Sequence, residues 1–398
     1  MRDGPKTREH LIHLLTEAAE LEHNLLCSYI YAAASLKTPQ DGLSPREGDA
    51  VSRWRKLIMS IAVEEMTHLA IANNLLVAIG GVARFDRPNF PVAEGYHPAR
   101  ITIRLERFNR STLQHFIFLE RPPDSDVLDS PDYLPAEKYA RTTAAFGTTP
   151  STPDYETIGE FYADIKKLIH DLSSVIGSQL FVAFDPTRQL APPLVELPGL
   201  SVIHDLASAL AAIDTIVDQG EGASRHDDEE SHFGRFRKIQ SEWLSYDPHF
   251  DPAFPSATNP VLRKPVVDAR DRVWITDPQS ADILDLANAV YGLMLNCLEQ
   301  SHSPYADTDR KPYIDAALSL MHGVIVLADH LARLPAGGHH PEACAGMTFV
   351  VPRNLGPRDP RHARTLLSER ARHLRSRAAN VAPMGEKFIA QAEVSLDQ

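Results

Sequence analysis

Ser60-Ile-Ala-Val-Glu-Glu-Met-Thr-His-Leu-Ala-Ile-Ala-Asn-Asn-Leu-Leu76 reads as one helix. Apolar residues recur every three to four positions, and neither Pro nor Gly interrupts the run before Gly80 and Gly81. Glu65 and His68 are three positions apart, so both side chains leave the same face. The rest of that face is apolar (Ile61, Leu69, Ala72, Leu76) and directs the pair into a core. A carboxylate and an imidazole withdrawn from water together need a partner, and a divalent metal ion satisfies both.

Glu-x-x-His by itself is a weak pattern, and five copies occur: Glu20/His23, Glu65/His68, Glu94/His97, Glu229/His232 and Glu299/His302. Gly95 and Pro98 place the third in a loop. His23 falls one position off the apolar stripe of its helix, and Glu299/His302 ends a helix just before Pro304 and reads as surface. In helical bundles that hold two metal ions, two helices each give one Glu and the other two each give Glu-x-x-His. This chain can supply that set as Glu22, Glu65 with His68, Glu221, and Glu229 with His232.

Working outward, residues from about Thr7 to Leu36 carry a second long amphipathic pattern (Leu11, Leu14, Leu15, Ala18, Leu21, Leu25, Leu26, Tyr29), with Glu22 on its apolar stripe. A loop from Thr38 to Asp49 leads to the helix of the opening stretch, about Ala50 to Ile79. Two long helices with a short connection pack antiparallel, which brings Glu22 toward Glu65. Tyr29 lies two turns from Glu22 on the same face, within reach of a metal or a proton; core packing is the commoner role of such a residue. Cys27 reads as a small core residue, and Glu64 as outward-facing or an outer contact.

From Gly80 to about Pro153, Pro-rich loops alternate with short runs such as Ile101-Thr-Ile-Arg-Leu-Glu-Arg107 and Phe116-Ile-Phe-Leu119, readable as strands or a short helix. A helix follows through Leu172, with Asp154 as its candidate N-cap. Ser201 to Gln219 and Asp227 to Leu244 then close the bundle, so about 81–199 is an insertion. Glu221 and Glu229 are eight residues apart and can meet only if the site lies at the turn between these two helices. Three further helical stretches, from Ala281, from Tyr313 and from about Leu355, form a C-terminal extension. The expected fold is mainly α: a four-helix bundle with a loop and short-strand insertion and additional C-terminal helices, in one domain.

The 398 residues can bury a large core. A formal charge of −13 argues against nucleic acid and against an anionic membrane surface. Cys27, Cys297 and Cys344 form neither a disulfide framework nor a Cys-x-x-Cys site, which favours a cytoplasmic location. The charged start of the chain (Arg2, Asp3, Lys6, Arg8, Glu9) lacks a signal-peptide core, and the best apolar run, Ala316 to Ala328, carries His322 and Gly323, so no membrane span is expected.

Several motifs together resemble a known family: Glu22-His-Asn-Leu-Leu-Cys-Ser-Tyr-Ile-Tyr-Ala-Ala33, Val63-Glu-Glu-Met-Thr-His-Leu-Ala70, Tyr155-Glu-Thr-Ile-Gly-Glu-Phe-Tyr162, Val217-Asp-Gln-Gly-Glu-Gly222 and His232-Phe-Gly-Arg-Phe236. They are similar to the ferritin-like domain of iminophenylpyruvate dimer synthases, enzymes of violacein- and indolocarbazole-type pathways. Ala289-Val-Tyr-Gly-Leu-Met-Leu295 and Ala345-Gly-Met-Thr-Phe349 extend the likeness over most of the chain. No counterpart of the haem-containing portion of those large enzymes is visible, so their dimerisation reaction is not carried over. The resemblance implies a non-haem metal centre with Glu22, Glu65, His68, Glu221 and His232 on ligand positions; Glu229 fits the generic spacing but sits among Asp227, Asp228 and Glu230 like an ordinary solvated helix start.

The activity expected is that of a di-iron oxygenase or oxidase (manganese or a mixed Mn/Fe pair being the alternative metals). O₂ would be its co-substrate and a small amino-acid-derived or aromatic molecule its substrate. An external electron donor is an expected partner, and a homodimer is one expected assembly. Two other classes remain open: a ferroxidase or iron-binding protein, and a metal-free scaffold in a biosynthetic complex.

Overall fold

The computed structural model describes residues 7–97, 101–134, 150–152, 154–181, 185–220, 229–265, 271–303 and 309–397. Ten α-helices occur among them: α1 Arg8–Ser35, α2 Pro45–Ala78, α3 Arg110–Leu119, α4 Ile158–Ile176, α5 Leu206–Gly220, α6 His232–Trp243, α7 Pro278–Ser301, α8 Lys311–Leu331, α9 Pro360–Val381 and α10 Pro383–Asp397.

The spine is the pair α1 and α2. Thr7 caps α1 by accepting the His10 N–H at 3.1 Å. Ser44 and Glu47 form a reciprocal capping box with Pro45 at the first helical position, which starts α2 five residues before the periodicity predicts. Arg8, at the start of α1, donates to the Ile79 carbonyl at the end of α2 (2.7 Å), so the two helices run antiparallel. α5 and α6 pack on α2, α3 packs on α6, and α4 packs on both α5 and α1. The α2–α6 seam is aromatic: Trp54 and Trp243 are buried with ring centroids 5.4 Å apart, and Trp54 Nε1 donates to Glu242 at 2.9 Å.

α7, α8, α9 and α10 pack on one another and, through α8, on the rear of α1. The rear of α1 is also polar in one place. The Tyr291 hydroxyl stands 2.5 Å from His23 Nε2, and buried Arg87 donates to Tyr291 (3.2 Å) and to the Phe349 carbonyl (2.6 Å). Arg55 of α2 reaches across to both carboxylate oxygens of Asp329 on α8 at 2.7 Å. Pro383 divides the last helical stretch into α9 and α10.

The structure corrects several expectations. The short strands expected in the insertion are not strands: among the described residues only isolated β-bridges occur. Over 101–107 the backbone is satisfied by a loop, with the Leu105 N–H bonding to Asn259 Oδ1 and the Asn259 N–H to the Leu105 carbonyl. Phe116 to Leu119 belongs to α3. Thr157, accepting the Glu160 N–H, caps α4 in place of Asp154. By length and composition α7 and α8 could each cross a bilayer, contrary to the reading of the sequence; 67% and 56% of their most apolar windows are buried inside this fold.

Glu299 and His302 are buried rather than surface residues. The Glu299 carboxylate accepts the Phe85 N–H (3.2 Å), and burial pushes it up to about 7. An unfolded Glu titrates near 4.3, so the folded state binds the extra proton between these values and loses stability as pH rises through them. Glu299→Gln removes that buried charge. It should therefore raise the unfolding free energy at pH 8 by on the order of 2–3 kcal/mol and change it little at pH 5, in urea titrations at the two pH values.

Candidate metal centre

Four of the residues read from the sequence come together. Glu22 from α1, Glu65 and His68 from α2, and His232 from the first position of α6 are all buried, and Glu120, which closes the C-terminus of α3, joins them. Their side chains form two groups of three donors, Glu22/Glu65/His68 and Glu65/Glu120/His232, with all ligand atoms of each group within 4.8 Å of one another. Glu65 belongs to both. Its Oε2 lies 3.3 Å from His68 Nδ1, and its Oε1 lies 3.1 Å from His232 Nδ1. The terminal carboxylates repeat one another, with Glu22 Oε2 3.5 Å from His68 Nδ1 and Glu120 Oε2 3.5 Å from His232 Nδ1. The imidazoles stack with centroids 5.3 Å apart.

A second layer fixes each of these groups. The Tyr162 hydroxyl donates to Glu22 Oε1 and the Tyr29 hydroxyl to Glu120 Oε1, leaving the other oxygen of each carboxylate turned inward. His68 Nε2 is 2.9 Å from the Gln219 Oε1 amide oxygen, and His232 Nε2 is 2.9 Å from Glu64 Oε2. With the proton on Nε2, each Nδ1 presents a lone pair to the carboxylates, as in a metal-ligating histidine. Tyr29 also packs its ring on Phe116 and Phe236, at 4.6 and 5.3 Å, so it joins core packing to a hydrogen bond on the site.

The electrostatics show how strongly the cluster favours positive charge. Burial, then the neighbouring Glu65, push Glu22 up to about 8. Burial also acts to raise Glu65, but the close imidazoles of His232 and His68 outweigh it and hold the carboxyl below its usual range. For His68 burial acts downward, yet contact with Glu22 and Glu65 carries it up to about 10. The three carboxylates thus favour positive charge between them. His232 Nδ1 is fully buried and meets neither Glu65 nor Glu120 with hydrogen-bond geometry, so a buried donor atom is left without a partner. The donor set of carboxylate oxygens and imidazole nitrogens suits iron, manganese or zinc, and the residues fit a pair of divalent ions.

A small cavity opens beside the carboxylates, between Ile158, Gly159 and Tyr162 at the start of α4 and Ile216, Val217 and Gly220 at the end of α5. A Cβ on Gly220 would stand 3.4 Å from Glu120 Oε2, so the α5 terminus lies directly over the site. Glu221, the next residue, lies outside the described residues.

Glu229 is not among the convergent groups. It is exposed, in the turn that precedes α6. Ser231 caps α6 by accepting the Gly234 N–H, so the helix begins at His232 and the three-residue spacing from Glu229 no longer places the two side chains on one face. Glu120 stands beside His232 instead. Its signal in the sequence is slight: a lone acidic residue closing the apolar run Phe116-Ile-Phe-Leu119 before Arg121-Pro122.

A helical bundle with carboxylates and imidazoles converging between its helices defines a class, and comparison with known proteins agrees with it. The Ferritin-like family model matches residues 15–241, more than half of the chain. The chain belongs to the ferritin-like family. It is 25% identical to dichlorochromopyrrolate synthase of Lentzea aerocolonigenes over 98% of its own length and 41% of the relative's. It is 26% identical to 2-imino-3-(indol-3-yl)propanoate dimerase of Chromobacterium violaceum over 83% of its own length and 33% of the relative's. The chain therefore spans less than half of the length of these relatives. A crystal structure of a ferritin-like protein from Caulobacter vibrioides superposes with a TM-score of 0.53 at 17% identity, covering 85% of this chain and 97% of that one, a likeness of fold.

Proposed function

We propose that this chain is an oxidoreductase that binds two iron ions between α1, α2, α3 and α6 and uses O₂ to oxidise a small aromatic or amino-acid-derived molecule of secondary metabolism. One observation carries the reading: the two oxygens of Glu65 face two different imidazoles, each with its own terminal carboxylate. A single shared carboxylate between two such groups suits a pair of ions better than one ion or none. The names of the two relatives, a synthase and a dimerase, support a biosynthetic role.

When bound, an iron pair would supply electrons and open coordination positions for reaction with O₂. The chain's own residues set the conditions for it. Tyr162 and Tyr29 each occupy one oxygen of a terminal carboxylate, which leaves one oxygen per carboxylate for an ion. Burial, then the adjacent acid, push both phenols well above their ordinary range, so each hydroxyl keeps its proton and can hold it at Glu22 Oε1 or Glu120 Oε1. We assign Tyr29 this proton-holding role. Leu25, Ile158 and Ile216 line the cavity and would exclude water from an apolar substrate group. Three carboxylates against two divalent ions leave one positive charge, which an anionic substrate group or a hydroxide could balance.

Anaerobic titration of the metal-free chain with Fe(II), followed by O₂, tests the proposal. Uptake should stop at two ions per chain, and O₂ should produce a transient visible absorption. Uptake of many ions per chain would indicate storage instead, and no uptake would indicate a scaffold.

A further inference from the structure

The inner donors of the two halves match, but the groups behind the imidazoles do not. His68 Nε2 rests on a neutral amide, Gln219 Oε1, whereas His232 Nε2 rests on a carboxylate, Glu64 Oε2, both at 2.9 Å. Arg235 fixes that carboxylate: its Nη2 donates to the same Glu64 oxygen while its Nη1 donates to Ser60 Oγ at 3.0 Å. Without this brace Glu64, whose side chain is 20% exposed, could turn to water.

We infer that the centre is built unequal: the His232 half takes the first divalent ion and holds it more tightly than the His68 half, with Glu64 and Gln219 as the positioning residues that set the order. The inference rests on the reading of the cluster as a two-metal centre. An anionic acceptor on Nε2–H draws the proton toward itself and makes Nδ1 the stronger donor to a metal, while an amide does so weakly. The inner shells do not compete with this difference, since the matching contacts agree within 0.2 Å (3.1 against 3.3 Å, and 3.5 Å in both). Arg235 donates to the same oxygen, Glu64 Oε2, and so weakens the effect, but a carboxylate that shares an oxygen with an arginine is still a stronger acceptor than an amide. The α6 N-terminus at His232 also opposes a cation, by up to about 30-fold in a buried geometry, but the C-terminus of α3 at Glu120 favours one in the same half and offsets it. Removing a carboxylate behind a ligating imidazole changes metal affinity by about 10- to 100-fold.

Titration of the metal-free full chain with Co(II), followed by visible absorption and calorimetry, reads the order directly. The wild type should show two steps, the first tighter by about tenfold or more. His232→Ala should remove the tighter step and His68→Ala the weaker one. Glu64→Gln should weaken only the first step, by about 10- to 100-fold, so that the two merge. Gln219→Glu should strengthen only the second, a gain that a purely structural role for these residues does not predict. Equal weakening of both steps by Glu64→Gln, or separate steps persisting in Gln219→Glu, would overturn the inference while leaving the two-metal reading intact. A wild-type chain that takes up no Co(II) would overturn both.

Discussion

Glu65→Ala is expected to take the chain from two bound ions to none. Every other inner residue serves one half of the centre, but Glu65 gives one oxygen to each half, so its loss leaves a single carboxylate and a single imidazole on either side. Two protein ligands are too few to hold an ion in a site of this class against the hydration it gives up. Alanine is the best helix former, so α2 should persist, and far-ultraviolet circular dichroism provides the control. Equilibrium dialysis with Fe(II) and elemental analysis gives the stoichiometry. Retention of one ion would show that Glu65 is a terminal ligand rather than the residue shared by the pair.

Glu120→Ala should lose one ion of the two, with affinity at that half falling by more than about 100-fold, beyond what loss of an outer contact produces. Glu22→Ala should lose the other. Glu229→Ala, three residues before His232, should bind as the wild type does, because its side chain is exposed and outside both donor groups. The contrast between Glu120 and Glu229 is the sharper measurement, since spacing favours one and geometry the other. Full uptake in Glu120→Ala combined with loss in Glu229→Ala would mean that the turn before α6 rearranges around the metals.

The same contrast explains how much of the centre is legible in the sequence. Glu65 and His68 can be read because they lie in the middle of a long helix, where three-residue spacing fixes a shared face and the neighbours declare that face apolar. Glu22 is legible for the same reason, as a lone charge on the stripe of α1. His232 stands at a helix start, where periodicity has no upstream turn to work on; its spacing from Glu229 and the family resemblance are what point to it. Glu229 misleads because Ser231 resets the start of α6, a decision made by one side-chain hydrogen bond. Glu120 is hidden because nothing local marks it. A carboxylate ending a ten-residue helix is usually solvated, and it is buried here because α3 lies against α6 while Tyr29 of α1 and Gly220 of α5 close over it. Glu299 shows the reverse error, since an acidic residue near a helix end and a Pro looks exposed until Phe85 is seen to cover it.

The family match stops at residue 241, yet α1 is enclosed on nearly every side, with 21 of its 28 residues buried. Its rear is sealed by Tyr291, by α8 and by the 253–257 loop, where the Tyr31 hydroxyl donates to the Ala257 carbonyl. The second half of α1, buried at every position from Leu21 to Ser35, has no face left for water. The end of the family match is therefore not a boundary of folding: a chain cut near residue 245 would carry every inner metal donor described here and still lack the back wall behind α1.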